Sequence, residues 1–167
     1  MFVPFESLPD HSRIWVYQSN RKLNYQELNI ISDTLRAFTK RWNVHSTPLP
    51  SSFDMRFDQF VILAADEDAF SASGCSIDDS VRTIKDLGKL ISADFFDRTQ
   101  MAFKNNEIIV TIAMNDLKEQ YRLGAWNDES LFFNNLVSVK SDLESRWLVP
   151  ATSAWVKRYI PGKTVDC

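Results

Sequence analysis

The chain has 167 residues, of which 44% are hydrophobic, 25% charged and 13% aromatic, and it carries a formal net charge of −3. That size and mixture suit one globular domain able to bury a sizeable core. The slight acidity, with no run of Lys or Arg, argues against a nucleic-acid-binding face. Two cysteines are too few for a disulfide framework, and no apolar run approaches the roughly 20 residues of a membrane-spanning helix.

The opening MFVPFESLPD has neither a basic region nor an apolar stretch of signal-peptide length. With Cys75 and Cys167 as the only thiols, the expectation is a cytoplasmic protein in a reducing setting. Arg13 to Gln18 is rich in aromatic and β-branched residues and predicts a strand. Asn24 then opens a helix, with Glu27 three residues on in a near capping-box arrangement. Apolar residues at Leu28, Ile31, Leu35, Phe38 and Trp42 define its buried stripe.

His45 to Ser52, with two prolines, predicts a loop. Phe53, Met55 and Phe57 alternate with charged residues and predict a half-buried strand. Phe60 to Ala65 is continuously apolar and predicts a central strand covered on both faces, joined to its predecessor near Asp58 and Gln59. Ile77, Val81, Ile84, Leu87 and Ile91 then mark a second helix, with Ser76 as its N-cap and Asp79 at the third position. Thr99 to Phe103 and Glu107 to Ala113 predict a hairpin turning at Asn105 and Asn106.

Beyond that the pattern turns helical. One helix is expected between Asn115 and Gly124, and Leu131 to Phe133 reads as a short strand. Another helix is expected from Ser138 through Val139, Leu143 and Trp147, and a last short one carries Trp155 and Tyr159. The element order predicts an α+β fold with a mainly antiparallel sheet. Its first six elements follow the βαββαβ order of a ferredoxin-like core, with additional C-terminal helices. A single domain over residues 1–160 and a flexible tail over 161–167 complete the expectation.

Four segments carry a resemblance: FVPFESLPDHSRIWVYQSNRKL, RWNVHSTPL, SGCSID, and the LFFNNLV to RWLVPATSAW region. Together they resemble an uncharacterised bacterial family whose members are often labelled "ABC transporter ATPase". The residues do not support that label as chemistry. A phosphate-cradling G-x-x-x-x-G-K-[ST] loop is absent from the sequence. The Gly-Lys pairs, Gly88-Lys89 and Gly162-Lys163, lie in a helical pattern and in the tail. The resemblance implies relatives and no mechanism.

Two patterns carry candidate chemistry. Ser73, Gly74, Cys75 and Ser76 form a small-residue loop before the second helix, where a thiol can be activated. A nucleophilic Cys75 needs a base, and His11 and His45 are the only histidines. His45 is the candidate, against the plainer reading of Cys75 as a small apolar residue. Asp66 and Asp68 follow the apolar strand and are candidate metal-holding acids, against a plain solvated turn.

The expected surface is therefore where His45, Asp66, Asp68 and the Ser73–Ser76 loop meet. The first functional expectation is a non-enzymatic module binding an unidentified protein or small molecule. The alternatives are a hydrolase or transferase using Cys75 and His45 or an Asp66/Asp68 metal site, and a self-associating structural protein whose aromatic residues cover a homo-oligomer face. No cofactor is implied, and no membrane partner is expected.

Overall fold

The computed structural model describes residues 1–162. The fold is α+β with antiparallel sheets. The chain packs as two compact units: Met1–Phe96 with Val137–Asp142, and Asp97–Leu136 with Leu143 onward.

In the first unit β1 (Arg13–Gln18) leads to α1 (Tyr25–Arg41). The Asn24 side chain caps this helix by accepting the Glu27 N–H at 2.9 Å, so the capping signal works as the spacing predicts. A two-stranded hairpin follows, β2 (Asn43–Val44) and β3 (Thr47–Pro48), where a featureless loop was expected. Its turn residues His45 and Ser46 both take positive φ, as a tight two-residue hairpin turn requires. Next come β4 (Ser51–Arg56), β5 (Phe60–Ala65) and α2 (Gly74–Ile91). The sheet order is β1-β5-β4, antiparallel throughout, with Arg13 opposite Ala65 and Ser51 opposite the same residue.

β5 is the central strand, and all six of its side chains are buried. Val61, Leu63 and Ala65 share a core with Ile31, Leu35 and Phe38 of α1 and Ile84, Leu87 and Ile91 of α2. Trp42 closes one end of that core and donates its Nε1–H to the Ser76 carbonyl at 2.8 Å. At the other end Gly88 lies against the chain leaving α2, which turns through a left-handed Ser92. A Cβ on Gly88 would stand 2.6 Å from the Ala93 carbonyl oxygen. This glycine therefore serves packing, which accounts for the Gly88-Lys89 pair without any nucleotide.

In the second unit β6 (Gln100–Asn105) and β7 (Ile108–Ala113) form the expected hairpin, turning one residue later than expected, at Asn106 and Glu107, because Asn105 pairs with Ile108; the short α3 (Leu117–Arg122) and β8 (Leu131–Phe133) follow. A one-turn helix α4 (Asp142–Ser145) and β9 (Leu148–Pro150) follow, and the sheet order is β7-β6-β8-β9. Phe103 stacks on Trp126, whose Nε1–H donates to the Leu117 carbonyl at 2.7 Å. The final helical pattern is realised as 3₁₀ turns at Ala151–Ser153 and Trp155–Tyr159.

Two expectations are corrected. The sheet of the first unit has three strands in the ferredoxin-like order, but β6, the expected fourth, pairs with β7 and β8 in the other sheet. The outer edge of β1 instead receives Val139 through a single antiparallel bridge to Arg13. The Ile14 N–H donates to the Ser138 carbonyl at 2.9 Å, and the Lys140 N–H to the Ser12 carbonyl at 2.8 Å. The helix expected from Ser138 is accordingly absent apart from α4, because Val139 spends its side of the chain on the sheet edge. The expected tail lies outside the described residues from 163 on. Among the described residues no helix is long and apolar enough to cross a membrane.

Candidate functional site

The antiparallel ladder between β1 and β5 decides which residues meet. Arg13, the first residue of β1, faces Ala65, the last of β5. Residues just before β1 must then run beside residues just after β5. His11 is thereby brought to Asp66 and Asp68: each offers a ligand atom, and these atoms lie within 4.8 Å of one another. His11 Nε2 stands 2.6 Å from Asp68 Oδ1. The Asp66 carboxylate accepts the Asp68 N–H at 2.9 Å, which orients it and folds the turn.

Glu67, between the two aspartates, is engaged elsewhere. It accepts the Ala72 N–H and pairs with Arg13 at 3.6 Å. The cluster is open: the side chains of His11 and Asp68 are 64% and 61% exposed, while Asp66 is half-buried. One imidazole and two carboxylates are a donor set for a divalent first-row cation. At Zn or Mn bond lengths, neighbouring donors sit about 3 Å apart. The His11–Asp68 pair would open slightly to admit an ion, a small movement for exposed side chains.

The other candidates behave differently. The side chains of Cys75 and His45 are exposed, and neither makes a hydrogen bond or ion pair with a described residue. The base–thiol contact that the enzymatic reading requires is therefore not formed. The N-cap of α2 is Ser73, whose Oγ accepts the Ser76 N–H at 3.2 Å, so the helix begins at Gly74 rather than after Ser76. Ser76 turns inward, its Oγ donating to the Ser73 carbonyl at 2.9 Å. Asp79 falls beyond the first turn and pairs with Arg41 at 2.9 Å, so it does not cap.

Asn134 and Asn135 sit between the apolar Phe133 and Leu136; Asn135 accepts the Trp147 Nε1–H at 2.9 Å, and Asn134 accepts the Leu136 N–H at 3.3 Å. Both amides are thus accounted for by local structure. Of the residues expected to converge, Asp66 and Asp68 do. His11 is the partner that sequence reasoning passed over, and the signal for it was the pairing of β1 with β5. No family model, no curated protein and no solved structure matches this chain.

Proposed function

We propose that this chain is a non-enzymatic binding module whose ligand is a divalent cation held by His11, Asp66 and Asp68. The convergence of these three donors carries the reading. An imidazole among carboxylates favours a borderline metal such as Mn²⁺ or Zn²⁺ over Ca²⁺ or Mg²⁺, which prefer oxygen alone. The openness of the cluster supports binding over catalysis. Hydrolytic metal sites work in shaped cavities that exclude bulk water, and side chains more than 60% exposed do not form one. The exposed free thiol of Cys75 fits a reducing, cytoplasmic setting.

Calorimetric titration with Mn²⁺ tests the reading, and Mn²⁺ avoids competition from thiols, which attract Zn²⁺. One equivalent should bind wild type, and His11→Ala and Asp68→Asn should each weaken binding at least tenfold. Equal binding by all three proteins would refute the assignment.

A further inference from the structure

His11 lies in a short stretch that is held from two sides. Toward β5 its own side chain meets Asp68. Away from β5, the residues flanking it accept main-chain donors from the Val137–Asp142 segment. The Ser141 N–H donates to the Asp10 carbonyl at 2.9 Å, and the Lys140 N–H to the Ser12 carbonyl at 2.8 Å. The Lys140 ammonium adds a contact to the Leu8 carbonyl at 2.6 Å. Val137–Asp142 joins this unit through these edge contacts, one bridge at Val139 and the Lys140 ammonium over the Phe5 ring. It has no paired strand of its own, so it is a natural place for local opening.

We infer that a cation at His11, Asp66 and Asp68 works as a clasp, its binding and the docking of Val137–Asp142 on the edge of β1 each strengthening the other. The inference rests on the cation reading above and names what occupancy of that site controls. The physical link is the residue 10–12 backbone. When Val137–Asp142 leaves, Asp10 and Ser12 lose their donors, and His11 loses the fixed position from which it ligates. An ion must then pay the ordering cost again, so the undocked form binds it more weakly. Linkage makes the effect reciprocal: whatever factor undocking removes from cation affinity, the cation adds to docking.

Amide hydrogen exchange on the full chain with and without Mn²⁺ is the test, read beside the calorimetric titration. With Mn²⁺ at about 100 times its dissociation constant, exchange at Lys140 and Ser141 should slow at least tenfold. The Ser19 N–H, which donates to the Gln59 carbonyl at the opposite end of the sheet, should change less than twofold. In the reverse direction, Ser141→Pro removes the donor to Asp10 without touching a ligand or a charge, and should weaken Mn²⁺ binding at least threefold. Val139→Gly loosens the same edge more gently and should act alike if the proline variant unfolds. If Mn²⁺ binds but Lys140 and Ser141 exchange as before, or all amides slow equally, the clasp is wrong and the cation site stands. If Mn²⁺ does not bind wild type, both fall.

Discussion

His11 Nε2 and Asp68 Oδ1 meet at 2.6 Å although 57 positions separate the residues in sequence. Both side chains are mostly exposed, so their contact faces solvent and any charge attraction in it is screened. Without added cation, His11→Ala is expected to change the unfolding free energy by less than about 1 kcal/mol in urea titration. A larger loss would show that the histidine is structural.

Arg21 ties the start of α1 to the end of α2. Its guanidinium reaches both Glu27 carboxylate oxygens, at 3.1 and 2.7 Å, and donates to the Ile91 carbonyl at 2.7 Å. The hydrogen bond from Arg21 holds the Glu27 carboxyl below its ordinary range. A carboxyl depressed in the folded state stabilises the fold above its ordinary value and loses that contribution as pH falls through the folded value. Arg21→Ala should cost about 1 kcal/mol at pH 7, since the guanidinium is partly exposed and the pair is screened. The gap between variant and wild type should narrow below pH 4.5, the carboxyl's ordinary value, in urea midpoints measured across that range.

Gly88→Ala places a methyl group against the Ala93 carbonyl oxygen, where only 2.6 Å is available. Alanine is the better helix former by roughly 1 kcal/mol, but the clash is with backbone and requires the turn through Ser92 to move. A net destabilisation of about 1–2 kcal/mol is expected, read as a lowered urea midpoint. An unchanged or raised midpoint would show that the turn yields freely.

Cys75 is exposed in the first turn of α2 and makes no hydrogen bond to His45 or any other described residue's side chain. A thiol-selective disulfide reagent should label it in the native protein, identified as the equivalent lost in Cys75→Ser. His45→Ala should leave the labelling rate within about twofold, because an unassisted thiol reacts according to its own exposure and ionisation. A tenfold drop would restore the thiol–imidazole reading.

Local signals were legible where one residue's chemistry decided the structure. Asn24 capped α1, the unbroken apolar run of Phe60 to Ala65 became the central strand, and of the stripe Ile77, Val81, Ile84, Leu87 and Ile91 the last three are buried in α2 while the first two are half-buried. The failures are non-local. Ser138 followed by Val139 and Leu143 has helical spacing, but tertiary pairing with β1 overrides that preference. The placement of β6 in a second sheet left no mark in its own alternation, which is the same whichever neighbour it pairs with. The site was half legible: Asp66 and Asp68 stood out by type and position, whereas His11 became significant only through the register Arg13 to Ala65.

The return of Val137–Asp142 to the first unit means that the order of the gene and the order of the fold disagree. A fragment ending at Phe96 would leave the Ile14 N–H without the Ser138 carbonyl, and β1 would become a bare lateral strand open to intermolecular pairing. No single cut of the chain leaves both units whole. Recombination or truncation near residue 96 would therefore generate an adhesive half-molecule, and a synthetic peptide spanning 137–142 is the natural complement to silence it.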